Sequence, residues 1–133
     1  MKKKWWVFLG IIMALLAVWM ACNPSGGFGF ARYAFTVFNR VPRPITDFQV
    51  RADGSVRRVA KTHDLNYETM AWLFGDKPEL VIVAIGWDGV VEPDERIRAS
   101  NLVRVLKNKE AVELFNQMKR AGKRVAIHYH STC

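Results

Sequence analysis

Three groups of residues in this chain have types and spacings that could do chemistry together. His128 and His130 lie two apart in a run that reads as a strand, so both point to one face. With Cys133 they would offer a metal two imidazoles and a thiolate. A structural zinc site needs four ligands, and a catalytic one needs three well-placed ligands with an opening. The spacing supplies no fourth ligand, so the expectation is no metal, with polar residues at a strand end instead. Cys133 beside His130 would be a nucleophile only as a thiolate. In an oxidising compartment Cys133 could form an intermolecular disulfide instead, since no clear partner exists within the chain. His63-Asp64 has the form of a base with an orienting carboxylate, but no nucleophile motif such as G-x-S-x-G accompanies it, and Asp64 reads as a helix cap. Asp88, Glu92, Asp94 and Glu95 gather near Gly86-Trp87, and paired carboxylates can do acid–base work. Around Pro93 they read more simply as a solvated helix start. No catalytic residue, no metal and no cofactor is expected, and the chain is not read as an enzyme. Gly86, Trp87, Asp88 and Gly89 remain as a candidate ligand loop, with Trp87 as its contact residue.

The elements that would position these residues follow from periodicity. Ile45–Arg51 alternates apolar with polar, as a half-buried strand does. Ala52–Ser55 turns the chain and Val56–Ala60 returns, giving a hairpin. Asp64 or Asn66 caps a short helix through Phe74, ended by Gly75. Leu80–Ile85 is aliphatic without alternation, the pattern of a strand covered on both faces. Pro93 opens a short helix to about Ala99, Leu102–Leu106 forms a strand, and Asn108 caps an amphipathic helix carrying Ala111, Val112, Leu114, Phe115 and Met118 on one face. Gly122 closes it, and Arg124–Tyr129 is the last strand. The expected fold is α/β: a small three-layer domain with a mixed, mostly parallel sheet over residues 45–133. About 90 residues hold a modest core without staples.

Ahead of it, Trp5–Ala21 runs 17 residues without a charge. As a helix this run spans roughly 26 Å, close to the ~30 Å hydrocarbon core of a bilayer. Trp5, Trp6 and Trp19 stand at its ends, where indole rings prefer the headgroup interface. Lys2, Lys3 and Lys4 precede it and the next cation is Arg32. That bias places the N-terminus in the cytoplasm and the rest outside, in a periplasm-like space. A cleaved signal needs small residues before the cut, and Trp19 fits that poorly. Lipoprotein processing at Cys22 is the other reading. Residues 1–22 are therefore expected as a basic start and single transmembrane helix, and 23–44 as an aromatic linker arm rich in Pro and Gly. Within the arm Phe28, Phe30, Tyr33, Phe35 and Phe38 crowd together, readable as a packing strand or as a membrane- or partner-contact patch.

The formal net charge is +8, from 20 Lys and Arg against 12 Asp and Glu. Without the three lysines of the first 22 residues, 17 cations face 12 anions. Arg51, Arg57, Arg58 and Lys61 gather at the hairpin; Lys119, Arg120, Lys123 and Arg124 surround the last helix end, where cations suit the helix dipole. No nucleic-acid motif accompanies them. Anionic lipid or an acidic protein surface is the better match.

Ala111-Val112 with Phe115-Asn116, then Gly122-Lys123-Arg124-Val125-Ala126 and the ending His130-Ser131-Thr132-Cys133, resemble one small family: the α/β domain shared by the mitochondrial complex I assembly factor 3 and the adipogenesis-associated cytosolic protein. Leu80–Gly89 looks like that family's glycine-bearing central strand and loop, although Ala84 replaces the first glycine of its Gly-x-Gly. The resemblance spans roughly residues 45–133 and implies a compact three-layer fold without an established enzyme activity. One branch assists assembly of a respiratory membrane complex; the membrane helix is foreign to the familiar members. The expectation is therefore a membrane-anchored, non-catalytic accessory or assembly subunit of a bacterial-type energy-transducing complex, respiratory or photosynthetic. Its partners would be integral membrane subunits and the lipid bilayer, with no nucleic acid. The alternative is an anchored small-molecule-binding or redox domain using the Gly86–Gly89 loop.

Overall fold

The computed structural model describes every residue from Met1 to Cys133. The apolar N-terminal run forms α1 (Lys2–Cys22), with apolar residues around its whole circumference and none of them buried. The core helix of a soluble protein would be mostly buried. α1 is long and apolar enough to cross a membrane, a property that a signal sequence shares.

The stretch after α1, expected as a linker arm, is built into the domain. Asn23 is buried and caps α1 by donating its backbone N–H and its side-chain amide to the Trp19 carbonyl, each at 3.0 Å. Its Oδ1 accepts from the Phe30 N–H at 3.0 Å, and its carbonyl accepts from Arg40 Nε at 3.1 Å. Three strands follow as an antiparallel meander: β1 (Phe28–Arg32), β2 (Phe35–Phe38) and β3 (Val41–Pro44). Pro42 and Pro44 are tolerated because β3 is an edge strand. Asn39 and Arg40 turn the chain at φ 51° and 63°, the hand that matches strand twist in a tight hairpin. Thr36 Oγ1 lies 2.7 Å from the Tyr129 hydroxyl, and burial pushes that phenol up to about 12.

The remaining elements are β4 (Phe48–Val50), β5 (Val56–Arg58), β6 (Asp64–Leu65), α2 (Tyr67–Phe74), β7 (Leu80–Ala84), β8 (Glu92–Pro93), α3 (Glu95–Arg98), β9 (Val103–Leu106), α4 (Asn108–Arg120) and β10 (Val125–Tyr129). Five strands make the main sheet in the order β5-β4-β10-β7-β9. Pairings β5/β4 and β4/β10 are antiparallel; β10/β7 and β7/β9 are parallel. The sheet is thus evenly mixed, which corrects the expectation of a mostly parallel one. The neighbouring parallel strands β7, β9 and β10 are reached through α3 and α4, whereas a short turn joins β4 to β5 and fixes them antiparallel.

Both faces are covered. Ile82 and Ala84 of β7 join a core with Phe28, Phe38, Phe48, Phe115 and Tyr129, beneath α4 and the meander. Val81 and Val83 join the opposite core with Leu65, Met70, Leu73, Val91 and Ile97, under α2 and α3. That two-sided burial explains the unbroken aliphatic run. Two helix starts differ from expectation. Asp94, not Pro93, caps α3 by accepting from the Ile97 N–H, and Pro93 lies in β8. Asn108 is the first residue of α4, not its cap, because its side chain is drawn inward. Asn66, not Asp64, caps α2.

Candidate functional site

The residues expected to contact membrane or partner lie at the two ends of α1 and on the first hairpin of the domain. Trp5, Trp6 and Trp19 project from the two ends of α1, exposed. Phe30, Tyr33 and Phe35 are exposed at the tip of the β1–β2 hairpin, with the Phe30 and Phe35 rings 5.9 Å apart and Arg32 over Phe30 at 5.4 Å. Phe28 and Phe38, read as contact residues from sequence, are instead buried in the domain core. A register shift between Phe28 and Ala31 breaks the alternation, so Phe28 turns inward while Phe30 turns outward. A groove of about 680 Å³ runs between the end of α1 and α4, with Cys22, Phe30 and Arg32 on one side and Trp87, Lys109 and Glu113 on the other.

The Gly86–Gly89 loop is largely filled by its own chain. Trp87 N–H donates to the Thr132 carbonyl at 2.8 Å, and the Asp88 and Val90 N–H groups donate to the Cys133 carbonyl at 3.2 and 3.1 Å. Gly86 sits at φ +99°, and a Cβ there would overlap the backbone of Cys133. Asn108 ties the loop to the last strand, its Oδ1 accepting from the Gly86 N–H at 3.0 Å and its Nδ2 donating to the His130 carbonyl at 2.6 Å. Of the four loop residues only Trp87 lines the groove.

A second polar centre lies beyond β10, and sequence reasoning missed its hub, Asp47. Asp47 is buried, and its Oδ2 lies 2.7 Å from Nδ1 of the equally buried His130. Its Oδ1 accepts from Lys61 Nζ at 2.6 Å, the Ser131 N–H at 2.9 Å and the Ser131 hydroxyl at 3.0 Å. Burial alone would raise the Asp47 pKa, but these donors, His130 and Lys61 foremost, hold it well below the usual carboxylate range. Two residues along β4, Gln49 meets His128: its Nε2 lies 3.0 Å from His128 Nδ1 and also donates to the Thr69 carbonyl, while its Oε1 accepts from Arg57 Nε. An amide nitrogen can only donate, so His128 Nδ1 accepts and the proton sits on Nε2. Burial pushes the His128 pKa down to about 4.

His128 therefore does not join Cys133. His63 does: its Nε2 is 3.3 Å from Cys133 Sγ, and its ring is 5.3 Å from that of His130. His63 makes no bond to Asp64, whose N–H donates to the Thr62 hydroxyl. The carboxylates after the loop diverge as well. Asp94 caps α3 and accepts from the Tyr67 N–H, and Glu92 pairs with Arg98 at 3.2 Å. Several cations are occupied: Arg51 and Arg57 lie over Trp72 at 4.9 and 4.6 Å, and Arg124 pairs with Asp76. Cys22 and Cys133 are both free thiols.

The spacing held a signal for this centre. Gln49 on β4 pairs with His128 on β10. Asp47, two residues before Gln49, meets His130, two residues after His128, just beyond the paired ends of the two strands, so the polar residues come in complementary pairs.

No protein-family model matches the chain, and no curated protein matches it. Solved structures do share the fold. One, named MT938, is 28% identical with a TM-score of 0.72. Another, the conserved hypothetical protein PH1505 from Pyrococcus horikoshii OT3, is 18% identical with a TM-score of 0.71. Each comparison covers 80% of this chain and 98% of the other. Both neighbours are thus shorter chains contained almost whole within this fold, and neither name states an activity.

Proposed function

We propose that this protein is a membrane-anchored, non-catalytic accessory or assembly subunit whose α1 packs among the helices of an integral membrane complex. The observation that carries the reading is an apolar helix with no buried residue, joined through the buried Asn23 to a hairpin that exposes Phe30, Tyr33 and Phe35. A helix apolar all round has its natural surroundings in lipid or among other helices. Aromatic side chains are enriched both at interfaces and in membrane headgroup belts. The buried cap sets the domain close to where α1 emerges. The resemblance of residues 45–133 to a family with a respiratory assembly branch makes an energy-transducing complex the first partner to look for. That step is analogy. In this reading the span is uncleaved, the N-terminus is cytoplasmic and the domain is extracytoplasmic. Ligand binding at the Gly86–Gly89 loop has weaker support, because the Trp87 and Asp88 N–H groups are taken by the carbonyls of Thr132 and Cys133 and the Gly86 N–H by Asn108 Oδ1.

The test is purification of the tagged full chain from native membranes in mild detergent. The expected result is a fixed set of integral membrane subunits, lost in a Phe30→Ser, Tyr33→Ser, Phe35→Ser triple variant that still fractionates with membranes. A protein that runs alone under every gentle condition refutes the role.

A further inference from the structure

One nitrogen of His63, one of His130 and Sγ of Cys133 lie within 4.8 Å of one another, brought together from the segment before β6 and the C-terminal segment after β10. Their surroundings prepare them for more than packing. His130 Nδ1 faces the Asp47 carboxylate, which only accepts in its ionised form, so Nδ1 carries the proton and the Nε2 lone pair accepts from the Thr132 hydroxyl at 3.3 Å, a long contact that a metal ion would replace. A carboxylate behind a histidine is the usual outer-sphere partner of a metal-bound imidazole, fixing its tautomer and orientation. Asp47 is itself fixed by Lys61 and Ser131. The Gly86–Val90 loop clamps the Cys133 carbonyl, which positions the thiol-bearing residue from the other side. His63 is exposed and free to turn, leaving one side of the cluster open to solvent.

From this we infer a metal site with His63, His130 and Cys133 as ligands and Asp47 as the positioning residue, taking a divalent transition ion of borderline softness, zinc before others. Two imidazoles and a thiolate form a donor set suited to zinc, and three protein ligands with an open fourth position form its usual non-structural arrangement. Tetrahedral bonds of about 2.0–2.3 Å place ligand atoms roughly 3.4–3.8 Å apart. The His63–Cys133 pair at 3.3 Å is already near that spacing, and the other pairs, within 4.8 Å, need rotation of both the exposed His63 and the half-buried Cys133 side chain. The site is independent of the proposed membrane role.

Cobalt(II) titration of the metal-stripped full chain in mild detergent tests it, followed by zinc displacement. The expected result is one ion per chain with a thiolate-to-cobalt charge-transfer band, bleached by zinc. Cys133→Ser should abolish the band, His63→Ala should weaken binding at least tenfold, and Cys22→Ser should change neither. Asp47→Asn, checked for native circular dichroism, should weaken binding by about 10–100-fold. The absence of saturable binding overturns the site, and so does binding that survives either Cys133→Ser or His63→Ala unchanged.

Discussion

At the scale of single residues, the two histidines of the last strand show how burial assigns different tasks to the same side chain. His128 is buried, has its Nε2–H without a partner, and faces the donating amide of Gln49. A proton on Nδ1 would point one donor at another, so protonation must break the contact. Its pKa falls from 6.5 to about 4 on folding, chiefly through burial. The unfolded chain therefore binds the extra proton across that window, and stability falls as pH drops from about 6.5 towards 4, by at most ~1.4 kcal/mol per unit. Asp47 has the carboxylate sign: its folded pKa is depressed, so its contribution is present above about pH 4 and lost as pH falls further. Thermal melts of the wild type and His128→Leu between pH 4 and 7 separate the two. The variant should be close to wild type at pH 7 and gain on it steadily below 6.5. Parallel curves would remove His128 as the titrating group.

At the scale of elements, much of the domain was legible because hydrophobic periodicity reports burial. The aliphatic Leu80–Ala84, the amphipathic α4 and the 52–55 turn all follow from local pattern. What local pattern does not carry is the partner on the far face. Asp47 and Gln49 read as the solvent side of a half-buried strand, yet both are buried because β10 and the residue after it supply them with His128 and His130. Likewise Asn23–Pro44 reads as a linker from its Pro and Gly, whereas Asn116 of α4 binds it into the core. Asn116 Oδ1 accepts from the Phe28 N–H and Nδ2 donates to the Phe28 carbonyl, both at 2.8 Å. Asn116→Ala should cost about 1–3 kcal/mol, since two buried backbone groups lose their partner. It should also speed amide exchange selectively in the meander. Gly86→Ala should cost about 1–3 kcal/mol from the left-handed backbone alone, and more through the clash with Cys133. Urea midpoints measure both; an unshifted midpoint for Gly86→Ala would mean that the last three residues are not held where the loop holds them.

For the whole molecule, the question is how a compact domain and an unburied helix share one chain. The apolar run alone is slightly short for a bilayer, but α1 continues from Lys2 to Cys22, and 21 residues span about 32 Å. In the proposed membrane reading the lysines at its start would reach the headgroups by extending their stems, and Trp19 and the exposed hairpin aromatics would lie at the other interface. α1 has three cations at its start and none in its last turn, so the proposed orientation depends on Lys2–Lys4. The domain has 17 cations of its own, so the asymmetry rests on those next to the span. In sealed right-side-out membranes, added protease should therefore digest the α/β domain, and inverted vesicles should protect it. Replacing Lys2, Lys3 and Lys4 with Gln should mix the two orientations, because the remaining bias then comes only from Arg32 and beyond. Protection in right-side-out membranes would place the domain in the cytoplasm. Release of an intact domain lacking residues 1–22, seen by mass, would identify α1 as a signal sequence rather than a span.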